Sequence, residues 1–360
     1  MMTTKDAVRA IDSAIWRALE RTGGRLPRLT RAHDRLVLRY RMRNALGYTP
    51  NLKNPRTYNE KLGWRMLNDR NPLLPITTDK LAVRDYVAGK IGADFLVPIL
   101  GAYERAADIP WDSLPNRFIV KATHGCDMNL IVRDKSVADE RETRSTAASW
   151  LQRSHYAESR EWAYRAIPHR IIIEELLVDE DGQLPVDFKF IVFHGRAELV
   201  RVHLGRFGDH RVNFYDRQLT FLPMRQTFPT DPTYRPPGQV SGMLKIAEKL
   251  AEDFDYARID LYLCQGQVRF GEITHYDGSA EQPFRPPELD EELGRLWRLP
   301  VGGAGSTPGP APALGRSDQF DHLGHRSDRD GSVDVGEQFA AAFEVLDDNR
   351  CPDSVGIDRQ

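Results

Sequence analysis

Apolar residues first recur at helical spacing. Val8, Ile11, Ile15, Ala18 and Leu19 share one face, which predicts an amphipathic helix over 5–21, ended by Gly23, Gly24 and Pro27. A second, basic helical stretch runs near 30–45. A new segment starts at Asn54-Pro55-Arg56-Thr57. Thr57 with Glu60 three positions on has capping-box spacing, and 60–67 reads as helix. Thr77-Thr78-Asp79-Lys80 opens a further helix through Ile91, with Asp79 as N-cap and Gly92 as its stop.

The period then changes. Phe118–Lys121 is a short apolar run ending in lysine, and 129–133 reads as its return strand across the tight loop 124–128. Residues 136–156 read as helix. Ile171, Ile172 and Ile173 in succession predict a strand buried on both faces, running to Leu177. Val186–Phe193 and Ala197–His203 alternate and break like a hairpin. Residues 241–253 read as helix. Ala257–Leu263 and Gln267–Thr274 form another hairpin about Gln265-Gly266. After Pro300 the pattern stops: 301–314 is rich in Gly, Pro, Ala and Ser, and the rest of the chain is acidic and polar. Residues 301–360 therefore read as a linker and mostly disordered tail, with one short helix at 338–346. No internal repeat is present. The class is α+β, and a cleft between two sheets is the natural place for a site.

At 360 residues the chain has room for two domains or one composite core, and 41% hydrophobic with 28% charged residues is ordinary for a soluble enzyme. A net charge of −2 argues against nucleic acid as partner. Three widely spaced cysteines without a C-x-x-C pair speak against a disulfide scaffold and a cysteine zinc site. There is no run long enough to span a membrane and no secretory apolar region, so a cytosolic setting is expected. The charge is nonetheless uneven. Residues 1–50 hold eleven Lys/Arg against four Asp/Glu, and 301–360 hold five against eleven. The basic arm is either a solvated helical surface or a patch for anionic lipid or a polyanionic substrate. Lysines number ten against forty arginines, so a retained lysine marks a place that wants a compact point charge.

Four spots carry candidate chemistry. Lys121 ends a strand before a glycine-containing turn, a unit that offers a phosphate both charge and backbone N–H groups, or else is an exposed strand end. Lys80 sits beside a helix start, where an anion would relieve its conflict with the helix dipole. Glu174-Glu175 follow the isoleucines and face opposite sides, so one can face a core or pocket and the other solvent; an ordinary exit of a buried strand to solvent explains them equally well. Arg258 and Asp260 share one face of a strand, and Glu272 and Thr274 share one face of the next. Pairing about the turn between them can bring Asp260 near Glu272 or its diagonal neighbours. Facing carboxylates repel unless a cation or proton lies between them, and oxygen-only donors point to Mg²⁺ or Mn²⁺ rather than zinc. The alternative is a surface salt network with Arg258 as counter-charge.

The order of these pieces resembles the ATP-grasp superfamily, and more specifically its TupA-like family of polysaccharide biosynthesis proteins, across roughly residues 50–300. The pieces that carry the resemblance are Asn54–Leu62, Thr78–Val87, Phe118–Gly125, Ile172–Glu175, Asp187–Phe190, Arg258–Tyr262 and Phe270–Thr274. The resemblance implies that Lys121 and Lys80 contact the ATP phosphates and that Lys189 adds a further contact. It implies an adenine hinge at Glu174 and the backbone of Glu175–Leu177, ending at Leu177, and ribose hydroxyls on Asp187 or a nearby acid. Asp260, Glu272 and Thr274 match the magnesium-binding set, and Arg258 the arginine near the transferred phosphate. The chain departs from the pattern in the loop after Lys121, which holds one glycine and the acidic Asp127 where relatives are richer in Gly and Ser.

The organisation so implied is a basic helical arm over 1–50, a preceding lobe over 51–115, the ATP-grasp domain over 116–300 and the tail. The implied activity is an ATP-dependent carboxylate–amine or carboxylate–nucleophile ligase working through an acylphosphate, in cell-surface polysaccharide biosynthesis. Its substrates would be small-molecule or glycan-linked carboxylates and amines. The location would be cytoplasmic, with the basic arm able to touch the inner face of a membrane. Rival readings are a nucleotide- or sugar-binding partner without turnover, a sugar-nucleotide glycosyltransferase, and a sugar kinase. His203, Arg206, His275 and Tyr276 lie on or beside the inferred sheet, as substrate contacts or as ordinary sheet and loop residues.

Overall fold

The computed structural model describes residues 12, 14–19, 21 and 26–300 apart from residue 207. The expected linker, tail and 338–346 helix lie outside the described residues, as does most of 1–25. Residues 14–19 are helical.

Local sequence explains the helices. In helix Tyr58–Asn68 the Thr57 Oγ1 accepts the Glu60 amide at 3.1 Å and the Glu60 carboxylate accepts the Thr57 amide at 3.3 Å, so the capping box is complete. The basic stretch forms helix Pro27–Leu46, with proline in its first turn and Gly47 at its end in the left-handed conformation (φ 79°). Helix Val240–Ala251 buries Val240, Met243, Leu244, Ala247, Leu250 and Ala251 on one face. That face packs on the larger sheet, and each fully buried Leu or Val there contributes about 1.5–3 kcal/mol.

The strands form two sheets, both antiparallel throughout. The smaller has the order β1 (Ile99–Tyr103), β4 (Ile171–Glu175), β2 (Phe118–Ala122), β3 (Asn129–Val132). The larger has the order β10 (Gln267–Thr274), β9 (Tyr256–Cys264), β5 (Asp187–Phe193), β6 (Arg196–Leu204), β7 (Arg211–Asp216), β8 (Phe221–Leu222). The three isoleucines of β4 are fully buried, as expected for a strand flanked by β1 and β2 and covered on both sides. β1 comes from the 51–115 stretch yet is an edge strand of the sheet otherwise built from 116–175.

Three expectations needed correction. The helix expected from Asp79 is two: Leu73–Thr78, with Asp79 at its C-cap, and Val83–Ile91. The Asp79 carboxylate still accepts the Leu81 amide at 2.8 Å, but in the turn between the helices, which is where Lys80 sits. The 136–156 helix is Glu140–Trp150 followed by the short His155–Ser159. Strands β1, β7 and β8 were not read from the sequence; β1 and β8 are sheet edges, and β8 is two residues long. No described helix is long and apolar enough to cross a membrane.

Candidate functional site

The two sheets face one cleft, with about 1080 Å³ of free space including its mouth. From the smaller sheet come Ile119 and Lys121 of β2, Asn129 and Ile131 of β3, and Glu174 with Glu175 of β4. From the larger come Asp187 of β5, Tyr262 of β9 and Phe270 to Glu272 of β10. Lys80 and Arg84 close the side formed by the preceding helices, and Arg206 reaches in from the turn after β6. Apolar walls from Val97, Leu176, Leu177 and Leu184 complete it. Eight charged residues set among apolar walls make a pocket suited to a small, highly charged molecule.

Seven of the eleven residues singled out from the sequence line this cleft: Lys80, Lys121, Glu174, Glu175, Leu177, Asp187 and Glu272. Lys189, Arg258, Asp260 and Thr274 adjoin it on the same three strands. Strand pairing puts Lys189 opposite Asp260, Asp260 opposite Glu272, and Arg258 opposite Thr274. The two ammonium groups and the acidic residues therefore belong to one region.

The cations are already engaged. Lys121 Nζ donates to Glu174 Oε2 at 2.7 Å, and Arg84 Nη1 stands 3.4 Å from Glu174 Oε1. Of the two neighbouring glutamates, Glu174 is thus the buried one and Glu175 the exposed one, as strand alternation requires. The Glu174 carboxylate is turned to the lysine. Lys80 Nζ donates to the Gly125 carbonyl at 2.6 Å, tying the turn between the helices to the loop after β2. In that loop Asp127 takes a positive φ of 55°, and its charge helps hold Arg153 above its ordinary pKa, after the larger effect of Glu158. Asp127 is not among the cleft-lining residues.

On the larger sheet the charges form a buried chain. Lys189, 1% exposed, donates to Asp260 Oδ2 at 2.5 Å and contacts Asp187 Oδ2 at 3.0 Å. Arg206 Nη1 donates to the same Asp187 oxygen at 2.6 Å, while Asp187 Oδ1 is buried with no hydrogen-bond partner among the described residues. An orphaned buried acceptor on a cleft wall is a place for a ligand donor. Arg258 grips Asp260 twice, Nε to Oδ1 at 2.7 Å and Nη2 to Oδ2 at 2.8 Å. The Thr274 hydroxyl donates to Glu272 Oε1 at 3.1 Å. The register of β10 shifts between Phe270 and Glu272, and this bulge sets Glu272 opposite Asp260. Gly271 permits it: a Cβ there would lie 2.9 Å from the Tyr262 ring and 3.0 Å from the Asp260 carbonyl.

As donors, Asp260, Glu272 and Thr274 are all oxygen, which suits a hard divalent cation. Among the described residues no group of three or more His, Cys, Asp and Glu is disposed to hold a metal by itself. A cation here would take two carboxylates and complete its shell from other oxygens, the usual habit of magnesium with phosphates. The donor types fit that role, with Glu272 on the cleft wall; Asp260 would have to share an oxygen now held by Arg258 or Lys189.

Sequence reasoning missed Asp277, Arg201 and Arg84. Asp277, 4% exposed in the turn after β10, accepts Arg258 Nη1 at 2.6 Å and Arg201 Nη2 at 2.7 Å on one oxygen, and Tyr58 OH at 3.1 Å on the other. Burial, and then the Asp277 charge, hold the Tyr58 hydroxyl well above its ordinary pKa. A signal did exist. The β5–β6 hairpin pairs Lys189 with Arg201, two facing cations that demand an acid nearby. Two weighed residues fall away. His275 is fully buried, bonded to Thr77 Oγ1 at 2.7 Å and pushed well below its ordinary pKa by burial. Tyr276 OH accepts the Ala163 amide in the core. Neither lines the cleft.

Comparison with known proteins completes the description. Among solved structures the chain is similar to the D-alanine–D-alanine ligase from Bacillus anthracis complexed with ATP (13% identity, 56% of this chain and 54% of that one, TM-score 0.34). It is also similar to the ATP-grasp ligase PsnB complexed with a phosphomimetic variant of its minimal precursor, Mg and ADP (12%, 72% and 65%, 0.37), and to the D-cycloserine synthetase DcsG (14%, 62% and 72%, 0.34). The chain thus spans less than two thirds of the length of the first two. No curated protein matches. The family described as TupA-like ATPgrasp matches residues 60–298, a stretch that contains both sheets and every site residue above. The chain belongs to the TupA-like ATP-grasp family.

Proposed function

We propose that the protein is an ATP-dependent ligase that joins a carboxylate to an amine or another nucleophile through an acylphosphate, in cell-surface polysaccharide biosynthesis or modification. The observation that carries this reading is the one cleft lined by Lys80 and Lys121 from one side and Glu272 from the other, with Asp260 beside Glu272 on the neighbouring strand.

In this reading the adenine lies against the backbone of Glu175–Leu177, and a ribose hydroxyl donates to the orphaned Asp187 Oδ1. Lys80 and Lys121 meet the phosphates by exchanging Gly125 and Glu174 for anionic oxygens, and Lys189 adds charge from the floor. Asp260, Glu272 and Thr274 would hold Mg²⁺, which when bound screens the charge on the phosphate oxygens. A substrate carboxylate oxygen attacks the γ-phosphorus as the bond to ADP breaks, giving an acylphosphate. An amine nitrogen then attacks the acyl carbon and loses a proton, and inorganic phosphate leaves with the C–O electron pair. Arg258 stabilises the negative charge that grows in both steps. No serine or cysteine nucleophile is required. The substrates are small-molecule or glycan-linked acids and amines, and the setting is cytoplasmic, with the basic arm touching the inner membrane face.

The test is ADP release with candidate acids and amines, comparing the wild type with Asp260→Asn and Lys121→Ala. Release is expected in the wild type and at least about tenfold less in each variant, a loss of about 1.4 kcal/mol of transition-state stabilisation. Equal release from all three sinks the proposal.

A further inference from the structure

We infer that the outward side of helix Pro27–Leu46 is a docking surface for an anionic lipid bilayer. This deepens the reading of the basic arm as a membrane contact by naming the surface and its lipid class. The inner side of the helix is used up by the fold: Thr30, Asp34, Leu38 and Met42 are buried, and Asp34 accepts Tyr156 OH at 2.7 Å. The outer side carries Leu29, Leu36 and Tyr40, exposed by 56, 69 and 40%. Their spacing of seven and then four residues puts them on one stripe about 16 Å long. Arg28, Arg35, Arg39 and Arg43 are all exposed and run along one flank of that stripe. The only acid in the helix is the buried Asp34, so its exposed side carries no carboxylate.

Scattered exposed leucines need no explanation. A straight apolar ridge beside a row of one charge sign does. Folding does not require it, since the opposite face already anchors the helix. Its chemistry matches the interfacial region of a bilayer. Arginines take headgroup phosphates two hydrogen bonds at a time, leucines enter the acyl boundary, and tyrosine is at home between them. A single-sign surface suits a fluid planar partner that needs no matching shape. A second copy of this chain is disfavoured, because a two-fold contact would set arginine row against arginine row.

The experiment is co-sedimentation of the full chain with vesicles of phosphatidylcholine alone and of phosphatidylcholine mixed with phosphatidylglycerol, at low and high salt. The expected result is binding to the mixed vesicles only, weakened as salt shortens the screening length. An Arg35→Glu/Arg39→Glu variant is expected to partition about 25-fold or more weakly, at about fivefold for each arginine lost. Leu29→Ser/Leu36→Ser should weaken the binding that survives salt, with an unchanged melting temperature, because both side chains are exposed. Mixed-vesicle binding by Arg35→Glu/Arg39→Glu equal to the wild type would mean that another surface meets the membrane, and overturns the assignment of this face. Absence of wild-type binding, or equal binding to both vesicle types, overturns both the face and the membrane contact. A concentration-dependent dimer abolished by Leu29→Ser/Leu36→Ser, without vesicle binding, would assign the face to a second copy instead. No substrate is used, so any of these failures leaves the ligase reading standing.

Discussion

Replacing Asp277 tests the buried charge chain most directly. Its carboxylate is the shared acceptor of Arg201 and Arg258 and also takes the Tyr58 hydroxyl, with almost no access to water. Asp277→Ala would leave two guanidinium groups facing each other without the charge between them. Removing one partner of a buried pair costs about 3–5 kcal/mol, a large share of the roughly 5–15 kcal/mol that holds a domain together. Asp277→Asn keeps shape and one acceptor oxygen but loses the charge, so it should cost less and leave a folded protein. In that protein Arg258 keeps its two bonds to Asp260, but its contact at Nη1 weakens from a charged to a neutral hydrogen bond. If Arg258 acts on charge that develops in the reaction, Asp277→Asn should lower kcat about 10- to 100-fold, about 1.4–2.8 kcal/mol, with the ATP KM nearly unchanged. Urea unfolding gives the first quantity and steady-state ADP release the second. A double-mutant cycle with Arg201→Met separates the contacts, because residues sharing one acceptor should couple by about 0.5 kcal/mol or more in magnitude, up to about 3. Wild-type unfolding midpoint and wild-type kcat in Asp277→Asn would refute the argument.

Further expectations concern the loop, the bulge and acid. Lys121→Met should raise the ATP KM and strand Glu174, whose remaining cation is Arg84 at 3.4 Å; restored affinity in Lys121→Met/Glu174→Gln, read by titration calorimetry, would show that the stranded charge is part of the cost. Gly271→Ala should destabilise by about 1–3 kcal/mol through overpacking against Tyr262 and Asp260 and should lower ADP release by shifting Glu272; a wild-type melt and rate would contradict the role given to the bulge. His124, stacked on His169 at 3.8 Å with Nε2 donating to the Trp150 carbonyl at 3.0 Å, is pushed down to about 4 by burial first and by the His169 charge next. The unfolded chain takes up that proton near its ordinary 6.5, so stability should be complete above about 6.5 and drain as pH falls towards 4. Melting temperatures from neutral to acid pH should slope less in His124→Gln, and an unaltered slope would exclude this histidine as a source.

What the sequence by itself determined here is what short stretches of chain can decide. Thr57 and Glu60 cap their own helix, and three isoleucines demand cover on both faces. The Gln265-Gly266 turn fixes the first pairs of β9 and β10, but by itself it would set Asp260 opposite Gly271; the bulge at Gly271 is what brings Glu272 there. Residues near in sequence share few conformations, and period and turn chemistry choose among them. Tertiary structure alone decided how the charges are spent. Arg201 and Asp277 lie 76 positions apart, and Lys121 and Glu174 lie 53 apart. Facing cations such as Lys189 and Arg201 say that an acid is near but not which one, because an ion pair leaves no periodicity. The same holds for the Asp79 turn and the edge strand β1, settled by what packs against them from elsewhere. Whether a carboxylate is open to a ligand or already held by an arginine depends on burial and on its neighbours in space, and those exist only once the two sheets have closed on each other.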